Sequence, residues 1–377
     1  MDASTMSRVT PFLECLRPEV RELPRYNSGL SIDYVRKHFG VERVAKLGSN
    51  ENPYGPSPKV QKAIANAAAE AALYPEPACD PLRAVLSARL GIAPERMIFG
   101  NGSEDLIAVA AHTFLAPGKR VLTFAPSFGL HVIWPRSAGA VVDAVPVNEN
   151  YLMNGEAIVA ALQPETRMLI FGNPSNPVGT SITADDLRLI LSRIGPQTLL
   201  VFDEAYLEYA TTDSSYPDFL SILETAHTPW LMLRTFSKAY GLAGVRVGYA
   251  IASDPELISL MDRVRAPFNV NRLAQIAAIA ALEDMDYVLG VVKRTIGERE
   301  RVRAALTSRG YRTSPSRANF LFVQGREDSS DLSRRLLTKG VIVKPWQEPG
   351  YEDHLRVSIG SPEDNDLFLD AWAALAH

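Results

Sequence analysis

Between Met97 and Ile251 the chain repeats one unit: a short apolar stretch that breaks into a polar turn bearing glycine or proline. The stretches are Met97–Phe99, Arg120–Phe124, Val141–Val145, Met168–Phe171, Thr198–Phe202, Trp230–Thr235 and Val247–Ile251. Helical patterns separate most of them, at Leu106–Leu115, up to Ser137, at Gly155–Leu162, and from the capping residue Thr183 to Arg193. Apolar runs without polar alternation are buried on both faces, so the unit predicts an α/β fold: a mostly parallel sheet covered by helices on both sides. Open sheets of this kind place their ligands beyond the carboxyl ends of the strands.

The flanks read differently. Residues 1–30 are irregular and proline-bearing, an arm lying on something else. Ser31 caps a helix, Ile32–Phe39, which Gly40 ends. Helical patterns follow at Pro58–Ala72 and Asp80–Leu90. After Asp254 helices dominate to Arg309. Short strands then follow at Asn319–Val323, Val341–Lys344 and Leu355–Ile359, with helices at Ser329–Thr338 and Pro362–Ala376. The expected division is an arm (1–30), a small α+β domain (31–45 and 271–377) and a large domain (46–270).

A net charge of −4 over 377 residues gives no reason to expect nucleic acid or an anionic membrane as partner. Cys15 and Cys79 are too few for a disulfide framework and have no metal-ligand spacing, so both are expected as inert packing residues and no metal is expected. The first ten residues lack the apolar core of a signal peptide, and no apolar run is long enough to span a bilayer. The expectation is a cytoplasmic protein.

Chemistry-bearing residues gather where the strands end. Lys238 lies between the apolar Trp230–Thr235 stretch and a turn containing Gly241 and Gly244, and a lysine in a partly apolar site loses its charge more readily. Asp203 closes another apolar strand, where a carboxylate needs a helix cap, an ion pair or a cationic ligand nitrogen. Tyr206, three residues on, is either a half-buried core tyrosine or a donor to a ligand oxygen. In Asn173-Pro174-Ser175-Asn176-Pro177 each asparagine is held extended by the following proline. Gly100-Asn101-Gly102-Ser103 opens a helix whose N–H groups suit a phosphate, and Ser237 and Arg246 can share it. Phe128 is core or stacks on a flat ring. A lysine, an acid, an asparagine, a tyrosine and a phosphate cradle on successive strand ends fit one cofactor, pyridoxal phosphate.

These residues stand within stretches that resemble the aspartate-aminotransferase-like (fold type I) enzymes, and within them the histidinol-phosphate aminotransferase family. The stretches are Lys46-Leu47-Gly48-Ser49-Asn50-Glu51-Asn52-Pro53-Tyr54-Gly55-Pro56, Asn173 through Thr180, Asp203-Glu204-Ala205-Tyr206, Thr235 through Tyr249, and Leu355-Arg356-Val357-Ser358-Ile359-Gly360. The resemblance implies a seven-stranded sheet and the cofactor pyridoxal 5'-phosphate. Lys238 would bond the cofactor and later move the substrate's proton, Asp203 would face the ring nitrogen, and Asn176 and Tyr206 the ring oxygen. Phe128 would stack on the ring. Ser103, Glu104 (through backbone N–H), Thr235, Ser237 and Arg246 would hold the phosphate. Tyr54 would reach the phosphate of a neighbouring subunit, which implies a homodimer with shared sites. Arg356 would bind the substrate's anionic group and Tyr26 would line that pocket.

The chain departs from the family at Val178, usually threonine, and at Lys344 in Val341-Ile342-Val343-Lys344-Pro345, usually an arginine for the substrate phosphate. Lysine keeps the charge but lacks the planar fork. The leading expectation is ping-pong transamination of L-histidinol phosphate with 2-oxoglutarate. Alternatives are an aminotransferase for aromatic or other amino acids, an amino-acid-phosphate decarboxylase, and a cofactor-binding protein without turnover.

Overall fold

The computed structural model describes residues 15–375. Residues 1–14 of the expected arm and the expected helix end at Ala376 lie outside them. In chain order the strands are β1 (Ala45–Lys46), β2 (Met97–Gly100), β3 (Arg120–Ala125), β4 (Val141–Pro146), β5 (Thr166–Gly172), β6 (Leu199–Asp203), β7 (Trp230–Thr235), β8 (Gly248–Ala252), β9 (Phe320–Gln324), β10 (Val341–Ile342), β11 (Lys344–Pro345) and β12 (His354–Ser358).

Seven of them form the central sheet, in the order β2-β8-β7-β6-β5-β3-β4. β8 runs antiparallel to both of its neighbours, and the other pairings are parallel. The reason is the connection. No helix lies between β7 and β8, and a parallel return needs a crossover of a dozen or more residues, usually helical. Thr235 therefore stands opposite Gly248, and the loop carrying Lys238 is closed between two paired strand ends.

Alternate strand residues enter two cores. Phe124, Phe171, Phe202 and Met232 fill one face, and Val121, Ile170, Val201 and Leu231 fill the other. Burying each such side chain stabilises the fold by about 1.5–3 kcal/mol. The helix Arg272–Leu282, which the sequence places at the start of the small domain, packs Ala274, Ala277 and Ala278 into the first of these cores. The helix after β2 spans Ser103–Phe114, starting earlier than the apolar periodicity indicates. Glu104 and Asp105 in its first turn favour that start by facing the positive end of the helix dipole.

In the small lobe β11-β12-β9 form an antiparallel sheet, and β1 pairs in parallel with β10. The expected strand Val341–Lys344 is thus two strands in two sheets. The segment around Ala45–Leu47 bonds Gly340 and Ile342 on one side and Ser358 on the other, so the chain changes partner at Val343. Leu321, Val323, Leu355, Val357 and Trp372 make this lobe's core. Cys79 is buried, but Cys15 is exposed, which corrects its reading as a packing residue. No helix among the described residues is long and apolar enough to cross a membrane.

Candidate active site

β2, β3, β5, β6 and β7 point the same way, and their carboxyl ends open on a cavity of about 790 Å³. The small lobe supplies the opposite wall through Lys344, Trp346, Glu348 and Arg356, and the arm adds Tyr26. Of the residues singled out in the sequence, Tyr26, Ser103, Glu104, Phe128, Asn176, Asp203, Tyr206, Thr235, Ser237, Lys238, Arg246, Lys344 and Arg356 all line this cavity. Tyr54 does not. It lies under Arg294, whose guanidinium carbon is 4.2 Å from the ring centroid.

Lys238 Nζ donates to the Ser49 carbonyl at 3.3 Å and sits 5.9 Å from the Tyr206 ring centroid. Burial, helped by the nearby positive charge of Arg356, lowers its pKa from 10.5 to about 8. The amine therefore has a far larger neutral, nucleophilic fraction near neutral pH than an ordinary lysine, although it is still mostly cationic there.

Asp203 is buried at the tip of β6. Its Oδ2 lies 3.2 Å from His131 Nε2, and its Oδ1 accepts the Ala205 N–H at 3.1 Å. A carboxylate only accepts, so His131 Nε2 is the donor. The Tyr206 phenol oxygen accepts from Asn50 Nδ2 at 2.9 Å, and burial pushes its pKa up to about 12. Tyr206 therefore keeps its proton and can donate it in a hydrogen bond. Asn176 turns its Oδ1 to Arg356 Nη1 at 2.8 Å, which leaves its amide N–H groups for a ligand oxygen. Phe128 stands edge-on to Tyr26 and to His131, with ring centroids 6.3 and 5.4 Å away.

The corner at the start of helix Ser103–Phe114 suits a phosphate. Gly102 has φ +84°, and a Cβ there would fall 2.4 Å from Arg246 Nη2. A Cβ on Gly248 would fall 2.4 Å from the Ser103 backbone nitrogen. Only glycines allow the arginine and the helix start to close on the same point. Thr235 and Ser237 share a hydroxyl hydrogen bond of 3.0 Å beside it. The Glu104 side chain pairs with Arg246 at 3.1 Å, a contact additional to the backbone role expected of it. A lysine of lowered pKa, a carboxylate at a buried strand tip and this cradle together fit pyridoxal phosphate.

Two cations face each other across the small-lobe sheet, where Lys344 and Arg356 are register partners on β11 and β12. Their hydrogen bonds go to the Asn27 carbonyl (2.6 Å), the Gly48 carbonyl (2.5 Å) and Asn176, not to a carboxylate. Arg356 Nε is buried without a partner. Burial, then the Arg356 charge, lowers the Lys344 pKa from 10.5 to about 8. An anion between the two would relieve both the repulsion and the missing bond.

Sequence reasoning missed His131, Asn50 and Glu348. His131 was visible as a polar residue within the apolar run Leu130-His131-Val132-Ile133. Asn50 stood inside a recognised stretch, and its positive φ of 53° and its bonds to Tyr206 and Ser358 belong to tertiary packing. Glu348 had no local signal.

Comparison with known proteins agrees with this geometry. A sequence model of the family "Aminotransferase class I and II" matches residues 42–371. The chain is similar to histidinol-phosphate aminotransferase 1 of Mesorhizobium japonicum, 46% identical over 96% of this chain and 98% of the relative. It is also similar to histidinol-phosphate aminotransferase 3 of Rhizobium meliloti, 44% identical over 94% and 96% of the two chains. The crystal structure of histidinol-phosphate aminotransferase from Sinorhizobium meliloti in complex with pyridoxal-5'-phosphate superposes with a TM-score of 0.87 at 28% identity, covering 100% of this chain and 99% of that one.

Proposed function

Since the chain belongs to the class I and II aminotransferases, enzymes that move amino groups with pyridoxal 5'-phosphate, we propose that its substrates are L-histidinol phosphate and 2-oxoglutarate. The observation that carries this choice is the Lys344–Arg356 pair, a half-buried and a buried cation on adjacent strands with no carboxylate bonded to either. A phosphate monoester brings up to two negative charges and three acceptor oxygens to that place. The 2-oxo acid's carboxylate would take the same position in the second half of a ping-pong cycle. The names of the curated relatives support the same reading.

Bound pyridoxal phosphate supplies an electron sink that lets the bond between the donor's Cα and its hydrogen break. In the proposed roles Ser103, Glu104, Thr235, Ser237 and Arg246 hold its phosphate and Phe128 covers its ring. Asp203, fixed by His131, accepts a hydrogen bond from the ring nitrogen. Asn176 and Tyr206 donate to the ring oxygen. Lys238 Nζ would take the proton from the donor's Cα and deliver it to C4′ of the cofactor, and the reverse in the second half-cycle, which a pKa near 8 suits to both directions. Tyr26 and the small-lobe wall bound the space around the reacting carbon.

We further propose a homodimer in which Tyr54 reaches the partner's site, a role supported by its position outside the cavity of its own chain. The test of the substrate is a comparison of kcat/KM for L-histidinol phosphate and L-phenylalanine with 2-oxoglutarate as acceptor. Histidinol phosphate is expected to be preferred by about a hundredfold or more, since the single charge of phenylalanine's carboxylate leaves one of the two cations unmatched. A preference for phenylalanine would overturn the choice.

A further inference from the structure

The cavity's carboxylates are not equivalent. Glu51 is paired with Lys46 at 2.8 Å, Glu104 with Arg246 at 3.1 Å, and Asp203 faces His131 at 3.2 Å. Glu348 also lines the cavity, yet its bonds are to uncharged donors. Its Oε2 accepts the Trp346 indole N–H at 2.5 Å and the Ser127 backbone N–H at 3.0 Å. Its Oε1 reaches only that same backbone N–H, at 3.4 Å. A carboxylate offers about four acceptor sites, so this oxygen retains most of its capacity.

The loop that carries Glu348 is fixed against the end of β3. Besides the Ser127 bond, Tyr351 donates its hydroxyl to the Ala125 carbonyl at 3.4 Å. Trp346 is buried and its backbone N–H bonds the His354 carbonyl at 2.9 Å, on the strand that bears Arg356. The carboxylate therefore stands one residue from Phe128. The two unmatched cations stand on β11 and β12 of the small-lobe sheet. One part of the small-lobe wall calls for an anion, and another part of it offers a fixed acceptor for an N–H group.

We propose that Glu348 is a specificity-determining residue that binds the N–H or cationic nitrogen of the amino donor's side chain, while Lys344 and Arg356 hold its anionic end. This rests on the substrate reading above and deepens it, because an imidazole side chain supplies such a nitrogen and a phenyl ring does not. Burial holds the Glu348 carboxyl above the usual carboxylate range, with the Trp346 and Ser127 bonds acting in the opposite direction. A donor N–H stabilises the charged form further. The Trp346 and Ser127 bonds fix where the acceptor sits before substrate arrives, which reduces the entropy lost on binding.

The test compares L-histidinol phosphate with L-phenylalanine in wild type, Glu348→Gln and Trp346→Phe holoenzymes. Glutamine keeps the shape and can still accept from Trp346 and Ser127, but it loses the charge. In Glu348→Gln the fall in kcat/KM is expected to be about tenfold or more greater for histidinol phosphate than for phenylalanine, mostly through KM. Trp346→Phe, which removes one of the bonds orienting the carboxylate, is expected to show a smaller fall with the same selectivity. It serves also if the glutamine variant fails to fold. Equal falls for both donors would mean that the residue only anchors its loop, and no fall would mean that it does not touch substrate; either overturns the inference. A wild type that turns over no histidinol phosphate overturns the substrate reading and this inference together. One that does, with variants that lack the selective loss, overturns this inference alone.

Discussion

At the scale of the residue, the site depends on what burial does to ionisable groups. Lys238 lies near Arg356 on the cavity lining, where its ammonium form is disfavoured twice, by lost hydration and by a like charge. Below about pH 8 the amine is mostly cationic and above it mostly neutral. The rate at which the apoenzyme captures added pyridoxal phosphate, followed by visible absorbance in stopped flow, is therefore expected to rise with pH and level off above about 8. A rate still climbing past about pH 10, where an unperturbed lysine titrates, would contradict this. Lys238→Ala is expected to give no visible band at all. Tyr206 shows burial acting in the other direction: its phenol is pushed up to about 12 and stays a donor.

At the scale of the element, the ends of β6 and β7 carry the chemistry and are tied together beneath it. Glu204, next to Asp203, and Arg234, next to Thr235, form a buried ion pair of 2.8 Å. The Tyr216 hydroxyl lies 3.2 Å from the same glutamate and 3.1 Å from the Asn173 carbonyl and shares its one proton between them, which brings the asparagine loop into the network. Burial raises the Glu204 pKa, and Arg234 draws it back down. Replacing one partner leaves the other charge buried alone. Glu204→Gln is expected to lower unfolding stability by about 3–5 kcal/mol in urea titrations. A midpoint near that of wild type would show that Arg234 is satisfied by its other neighbours.

At the scale of the whole molecule, the site is built from two lobes and, in the proposed assembly, two chains. Shared sites predict complementation. Lys238→Ala and Tyr54→Ala subunits, unfolded and refolded together, form hybrids in which one of the two sites holds both residues. With random pairing of symmetric dimers, about a quarter of wild-type activity should return. Mixtures no more active than the sum of the separate variants would refute shared sites. Among the contacts between the lobes are Arg356 with Asn176 and Glu348 with Ser127, so displacing one lobe would undo the anion site and the N–H site together.

By itself the sequence determined the sheet, since near-continuous apolar runs have one stable use, and it marked Lys238, Asp203 and Asn176 because they come soon after those runs, and Arg246 because it flanks the lysine loop. It also showed the glycines at 100 and 102, whose conformational freedom is a local property. The tertiary structure decided the rest. That β8 runs antiparallel follows from a missing crossover. That Val341–Lys344 divides between two sheets follows from the competition of Ala45–Leu47 for its hydrogen bonds. His131 reaches Asp203 across 72 positions and Glu348 reaches Ser127 across 221, and no local window contains both members of either pair. Burial, and with it the pKa of Lys238 and Lys344, is a property of everything packed around a group. A sequence therefore announces which groups can do chemistry, while their charge and their partners wait on the fold.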